Sequence, residues 1–322
     1  MNSKKNILVT GGAGFIGSNL VGALLADDRI GKVRVLDNLS TGFQKNIQEY
    51  LSHDDFEFIK GDICDFDVCS NACEDMQLIS HQAALGSVPR SIKDPITTNN
   101  VNIGGTLNIF NASINHNIEK VVFAASSSTY GDSKELPKVE NKIGNPLSPY
   151  AVTKLVNEIY AEVFSKTYDF KYIGLRYFNV FGPKQDPSGA YAAVIPLFFK
   201  AALSNTSPKI NGDGSYSRDF TYIDNVVSAN INALFSHHKE SNNQIYNVAC
   251  GERTDLNELW LHIQGVSGTQ AEATYGPNRV GDVPHSLASI DKAKLLLDYK
   301  AKVNVKEGLS KAFQWYKTNS KK

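Results

Sequence analysis

Neither sign of charge prevails in this sequence, because Lys+Arg and Asp+Glu stand at 33 each. That balance removes the diffuse attraction a nucleic-acid or anionic-membrane binder uses, so the expected partner is a small molecule, with no nucleic acid and no membrane. Cysteine is scarce. Cys64, Cys69, Cys73 and Cys250 show neither paired zinc spacing nor the density of a secreted disulfide scaffold. Cys69 and Cys73 could share a helix face and chelate a metal, but small buried thiols explain them more simply, and no metal is expected. No apolar run approaches membrane-spanning length, and "MNSKKNILVTGG" enters a strand without an apolar signal region, which points to a reduced cytoplasm. Internal repeats and low-complexity tracts are also missing.

What is present is alternation. Short apolar runs at 6–10, 33–36, 56–59, 78–84 and 121–126 alternate with segments of helical period, including helices from Phe15, from about Gly104 and from near Pro149; a strand follows at 172–178. The expected fold is α/β, a Rossmann-type doubly wound parallel sheet with a smaller C-terminal α/β lobe. We place the sheet in residues 1–180, with a return near 220–250 where "QIYNVAC" reads as a strand, and the lobe mainly in 181–322. With 42 % apolar residues the chain can bury a core without staples. Asp255-x-x-Glu258 reads as a capping box that opens a further helix.

"TGGAGFIG" (10–17) follows a strand and opens a helix, with Gly11 at the tight turn, Gly14 where backbone approaches a pyrophosphate, and Gly17 where helix packs on strand. Glycine turns alone are common. Here Asp37 ends the second strand 20 residues after Gly17, where a carboxylate accepts from a ribose 2′-hydroxyl and repels a 2′-phosphate. NAD is therefore the expected cofactor. Asp62-Ile63 and Ala83-Ala84 end the next two strands, on the sheet edge where adenine and phosphates would pass. Tyr150 and Lys154 lie one turn apart on a helix face, so the Lys154 ammonium and an oxidised nicotinamide would favour the Tyr150 phenolate, making it a base near neutral pH.

With "LDNLSTG", "HQAALGSVPRS", "NVNIGGTLN", "SSSTYGD", "PLSPYAVTK", "LRYFNVFGP", "SRDFTYIDNV" and "RVGDVPHS" added, nearly the whole chain resembles the extended short-chain dehydrogenases/reductases. Within them it is most similar to the nucleotide-sugar 4-epimerases, in particular the UDP-N-acetylglucosamine 4-epimerases of bacterial polysaccharide pathways. The resemblance implies tightly held NAD and a homodimer formed through two helices per subunit. It adds Phe15, Ile16, Asn38, Ser40, Thr41, Gly42, Asn102 and Tyr177 to the cofactor contacts. It makes Ser126 the catalytic hydroxyl beside Tyr150 and Lys154. It also assigns Ser87, Arg90, Ser127, Ser128, Asn179, Ala193, Val194, Arg218, Arg279, Asp282 and Ser286 to a UDP-sugar.

Nucleotide-sugar 4,6-dehydratases carry an Asp-Glu pair after the catalytic hydroxyl, and nucleotide-uronate decarboxylases a Glu two residues before the Tyr. This chain has no acid from 124 to 131, so elimination lacks its proton donor. The expected reaction is an isomerisation: Tyr150, helped by Ser126, takes the C4 hydroxyl proton while the C4 hydride passes to NAD, and the 4-keto sugar turns over and is reduced on its other face. Ser286 stands where epimerases restricted to unacetylated sugars tend to hold a Tyr, and so leaves room for a 2-acetamido group. UDP-GlcNAc and UDP-GalNAc are the expected pair, with their uronic acids as further substrates. Pro284, where relatives often carry Arg, bears on how strongly a C6 carboxylate is favoured. The competing readings are a decarboxylase or dehydratase, a net reductase with exchangeable cofactor and, in another class, a non-catalytic dinucleotide sensor.

Overall fold

The computed structural model describes residues 4–187, 192–277 and 283–319. Its centre is a seven-stranded, wholly parallel sheet of order β11-β6-β5-β4-β1-β2-β3. The strands are β1 (Lys5–Thr10), β2 (Ile30–Asp37), β3 (Phe56–Lys60), β4 (Leu78–His81), β5 (Lys120–Ser126), β6 (Tyr172–Tyr177) and, after a long excursion, β11 (Gln244–Val248). Strand order reverses between β1 and β4, which opens a crevice at their C-terminal ends. Period-2 alternation sends Ile7, Val9, Val33 and Val35 to one face and Leu8, Leu36 and Ile79 to the other.

Helices α1 (Phe15–Leu25) and α8 (Ile223–Leu234) pack with the first set; α2 (Phe66–Cys73), α5 (Gly105–Asn115) and α6 (Pro149–Thr167) lie with the second. Cys69 and Cys73 are buried thiols of α2, and burial pushes both up to about 12. The helix expected from about Gly104 begins earlier. After the short α3 (Val88–Lys93), Asp94 caps α4 (Pro95–Asn99) by accepting from Thr97 N at 3.0 Å, and a π turn at Asn100–Gly104 carries the chain into α5. Gly105 does not break this helix; a Cβ there would lie 2.5 Å from Ile63 Cδ1, so glycine is what lets α5 approach the end of β3.

Beyond β6 the chain forms β7 (Val180–Phe181), α7 (Val194–Leu203), β8 (Lys209–Asn211), β9 (Ser217–Arg218) and β10 (Thr221–Tyr222) before α8. After β11 come β12 (Thr254–Asp255), α9 (Leu256–Ser267), β13 (Thr274–Gly276), α10 (Asp291–Leu297) and α11 (Val305–Asn319). Asp255 caps α9 by accepting from Glu258 N at 2.8 Å. Fully buried Asp219 ties these parts together: its carboxylate accepts from Cys250 N at 2.9 Å, from Gly251 N and from Ala288 N at 3.1 Å.

Candidate active site

The first turn of α1 is shaped by close approach of bare backbone. Gly11 has φ 69°, and a Cβ on it would lie 2.6 Å from Ala83 N; only glycine lets β1 turn this near the end of β4. The N-cap of α1 is Gly14, which has no capping side chain, so the first-turn amides are left for an anionic ligand. A cavity of ≈ 340 Å³ opens here. Its lining includes Gly11, Gly14, Phe15, Ile16, Gly17, Asp37, Asn38, Ser40, Thr41, Gly42, Asp62, Ile63, Ala83 and Ala84, all expected from the sequence.

Asp37 is positioned by two amides: Oδ2 accepts from Ala13 N at 2.9 Å and Oδ1 from Leu39 N at 2.8 Å. A carboxylate has about four acceptor positions, so about two remain for a ribose diol. Burial raises its pKa against these two bonds. Bare amides at a helix start, a glycine cradle and this held carboxylate fit a dinucleotide.

Asn102 does not line that cavity. It is fully buried, Oδ1 accepts from Leu85 N at 2.8 Å and Nδ2 donates to Thr153 Oγ1 at 3.1 Å, because the π turn directs it at α6. Its carboxamide braces Leu85, which lines the cavity. Beneath it, His81 bridges Thr10 Oγ1 at 2.7 Å and Thr106 Oγ1 at 3.0 Å. Thr106 spends its hydroxyl proton on Asn102 O, so it accepts from His81 Nε2–H, and Nδ1 accepts from Thr10. Burial pulls this histidine down to about 3, so it is a neutral strut. Sequence reading missed it; "SHQAA" carries no local sign of its partners.

A second cavity of ≈ 800 Å³ adjoins the first through Phe15, Ile16, Gln82, Ala84 and Gly86. Ser126, Ser127, Ser128, Tyr150, Lys154, Tyr177, Ser87, Asn179, Ala193, Val194, Arg218 and Ser286 line it. Ser148 caps α6, accepting from Ala151 N at 3.2 Å, and Pro149 starts its first turn; this sets Tyr150 at the mouth of the helix and Lys154 one turn deeper. Ser126 ends β5 opposite Tyr177.

Lys154 stands between the end of β5 and Tyr150. Lys154 Nζ donates to Ala124 O at 2.8 Å and stands 5.9 Å from the centre of the Tyr150 ring. Burial lowers this ammonium to about 8, with Glu158 opposing. Tyr150, deep in the protein though partly open to the cavity, has its phenol raised by burial, and the hydrogen bond with Ser126 pulls it back. Ser126 is thus one partner that favours the phenolate, with the Lys154 ammonium close by.

Arg218 Nη1 donates to Ser217 O at 3.0 Å and to Pro284 O at 3.1 Å, which holds the Pro284 segment against β9. Asn179, at φ 37°, donates from Nδ2 to Asp219 O at 3.1 Å. Ser87 lines the cavity while capping α3, accepting from Arg90 N at 3.1 Å; Arg90 itself is not among the lining residues. Arg279 and Asp282 lie outside the described residues. Gln82, Lys138, Gln185 and His285 line the cavity and were not singled out in the sequence.

Residues 7–249 match the NAD dependent epimerase/dehydratase family. The chain is 39 % identical over 317 residues to the putative UDP-glucose 4-epimerase of Methanocaldococcus jannaschii, covering 98 % of this chain and 99 % of that protein. The solved UDP-N-acetylglucosamine 4-epimerase from Methanobrevibacter ruminantium M1, in complex with UDP-N-acetylmuramic acid, is similar at TM-score 0.92 and 39 % identity over 98 % of this chain and 99 % of that one. UDP-glucuronic acid 4-epimerase from Bacillus cereus, in complex with UDP-glucuronic acid and NAD, gives TM-score 0.90 and 31 % identity over 97 % and 99 %. With the glycine turn, Asp37 and the Ser126, Tyr150 and Lys154 set in place, this chain belongs to the NAD-dependent epimerase/dehydratase family and its cofactor is NAD.

Proposed function

We propose that the protein is a redox-neutral 4-epimerase that interconverts UDP-GlcNAc and UDP-GalNAc, and their uronic acids. The observation that carries this reading is a roomy cavity in which Ser126, Tyr150 and Lys154 share one wall, Ser286 stands elsewhere, and no Asp or Glu is among the described lining residues. Ser126 and Tyr150 supply the proton relay, and no acid for dehydration stands among the described lining residues. Bound NAD supplies the acceptor and donor for the C4 hydride. Tyr150 exchanges the C4 hydroxyl proton, and Ser126 hydrogen-bonds to it and lowers the cost of its ionisation. Arg218 and Asn179 hold the diphosphate, with Ala193 and Val194 at the open start of α7 against the uridine. Such a grip leaves the sugar free to present both faces.

The lobe of 181–322, apart from the return through α8 and β11, is assigned to the nucleotide sugar. A homodimer fits the exposed apolar side chains of Ile92, Ile96, Val152, Ile159 and Val163 on α3, α4 and α6. No helix among the described residues is long and apolar enough to cross a membrane. Substrate size is tested by Ser286→Tyr: the variant should lose N-acetylated substrates and keep activity on UDP-glucose, and unchanged selectivity removes Ser286 from its role. Recovery of bound NAD after purification supports the redox-neutral reading; cofactor-free protein supports a reductase.

A further inference from the structure

Lys138 lines the larger cavity but belongs neither to the proton relay nor to the diphosphate grip. Its backbone pairs with a distant segment: Lys138 N donates to Leu287 O at 2.7 Å, and Lys138 O accepts from Ser289 N at 2.9 Å. This brings it beside the stretch that carries Ser286. The residue is 5 % exposed, lines the larger cavity, and donates from Nζ to Ser133 O. Among the described residues it forms no ion pair; the Glu135 carboxylate acts on it only from a distance and is itself bonded to Lys142 at 3.2 Å. One carbonyl is little for a buried ammonium with three N–H donors, since a charge taken from water is costly unless it is paired. Burial lowers its pKa accordingly. The backbone pairing explains where the residue sits, but not why its side chain is a cation.

The cavity around it is short of negative charge. Its described lysine and arginine lining residues are Lys138, Lys154 and Arg218. Lys154 is bonded at Ala124 beside Tyr150, and Arg218 lies with Asn179 where a diphosphate would be held. Lys138 is left with the sugar. We infer that Lys138 is a substrate-binding residue that receives a carboxylate on the sugar, so that the site takes nucleotide uronates in preference to their neutral counterparts. The inference rests on the epimerase reading. A 4-keto ring that turns over about its C1–C4 axis exchanges its C2/C3 edge for its C5/C6 edge. A cation beside Ser286 therefore meets the C2 substituent in one pose and a C6 carboxylate in the other.

The test compares UDP-GlcNAc with its uronic acid, which differ only at C6, on the NAD-loaded wild type and on Lys138→Met and Lys138→Arg. The wild type should favour the uronate in kcat/KM. Lys138→Met should lose about tenfold or more on the uronate, mainly in KM, while staying within about threefold on the neutral sugar, and Lys138→Arg should retain the preference. An equal loss on both substrates, or no preference in the wild type, overturns the inference and leaves the epimerase reading standing. A wild type that epimerises neither substrate overturns the epimerase reading itself. Calorimetric binding of both nucleotides to the wild type makes the same comparison without a variant: equal affinities count against Lys138, and tighter uronate binding counts for it.

Discussion

The Ser128 hydroxyl donates to Ser126 Oγ at 2.9 Å, and the Ser128 amide donates to the same oxygen at 3.1 Å. Two donors fill both acceptor positions of the Ser126 hydroxyl and leave its own proton to be given away, which orients it toward Tyr150. Ser128 thus acts through Ser126 rather than only on the sugar. Ser126→Ala should lower kcat about 10²-fold, and Ser128→Ala by a smaller factor of about tenfold with KM nearly unchanged. Steady-state kinetics on both variants check this; a Ser128→Ala effect confined to KM would return Ser128 to a substrate-contact role.

Tyr150→Phe removes the proton acceptor while the dinucleotide cavity keeps its other walls. Turnover should fall by about 10²-fold or more with NAD still bound, read from the absorbance of the purified protein. Full activity in that variant would dismiss Tyr150 as the base.

Burial lowers Lys154 and Lys120 to about 8 from a usual 10.5; Lys120 donates to Ala233 O at 3.1 Å and Ser236 O at 3.2 Å, at the end of α8. As pH rises through that value the Lys154 ammonium is lost, and with it a charge that opposes reprotonation of Tyr150, so kcat should decline on the alkaline side and Lys154→Arg should move that limb upward. Stability has the opposite sign. Between about 8 and 10.5 the unfolded chain keeps protons that the folded protein has released, so the unfolding free energy contributed by these lysines rises with pH. Urea titrations across that range should show the rise, and Lys120→Met should flatten it.

Asp219 offers two oxygens to three backbone amides. An Asn there offers one oxygen and turns an NH₂ on a buried N–H, whichever way it flips. Asp219→Asn should cost about 2 kcal/mol or more, measured by denaturant unfolding. A loss within error would mean that the neighbouring segments are held by other contacts.

The apolar side chains of α6 at 152, 159 and 163 follow one helix face, and α3 and α4 add Ile92 and Ile96. Ile159→Asp should convert a dimer into monomer in sedimentation velocity. A wild type that sediments as a monomer at micromolar concentration would contradict the assembly.

Much of the fold can be read from the chain because its signals are local. Buried parallel strands appear as short apolar runs, the glycine turn lies within eight residues, and Tyr150 and Lys154 share a helix whose start is marked by Ser148 and Pro149. Side-chain direction is less legible. The Asn102 carboxamide is engaged with Leu85 and Thr153, partners of which its own stretch carries no sign. Lys138 carries no local sign of a site, because only pairing with residues 287 and 289, some 150 positions away, brings it to the cavity. Shorter separations still hide the clamp at Asp219, whose partners lie at 250, 251 and 288.

Epimerase activity is decided by product analysis of the purified NAD-loaded protein with UDP-GlcNAc. Chromatography or proton NMR should show UDP-GalNAc approaching a fixed ratio with its precursor and no net change in the cofactor's redox state. Absence of UDP-GalNAc, or the appearance of a 4-keto-6-deoxy sugar in its place, would contradict it.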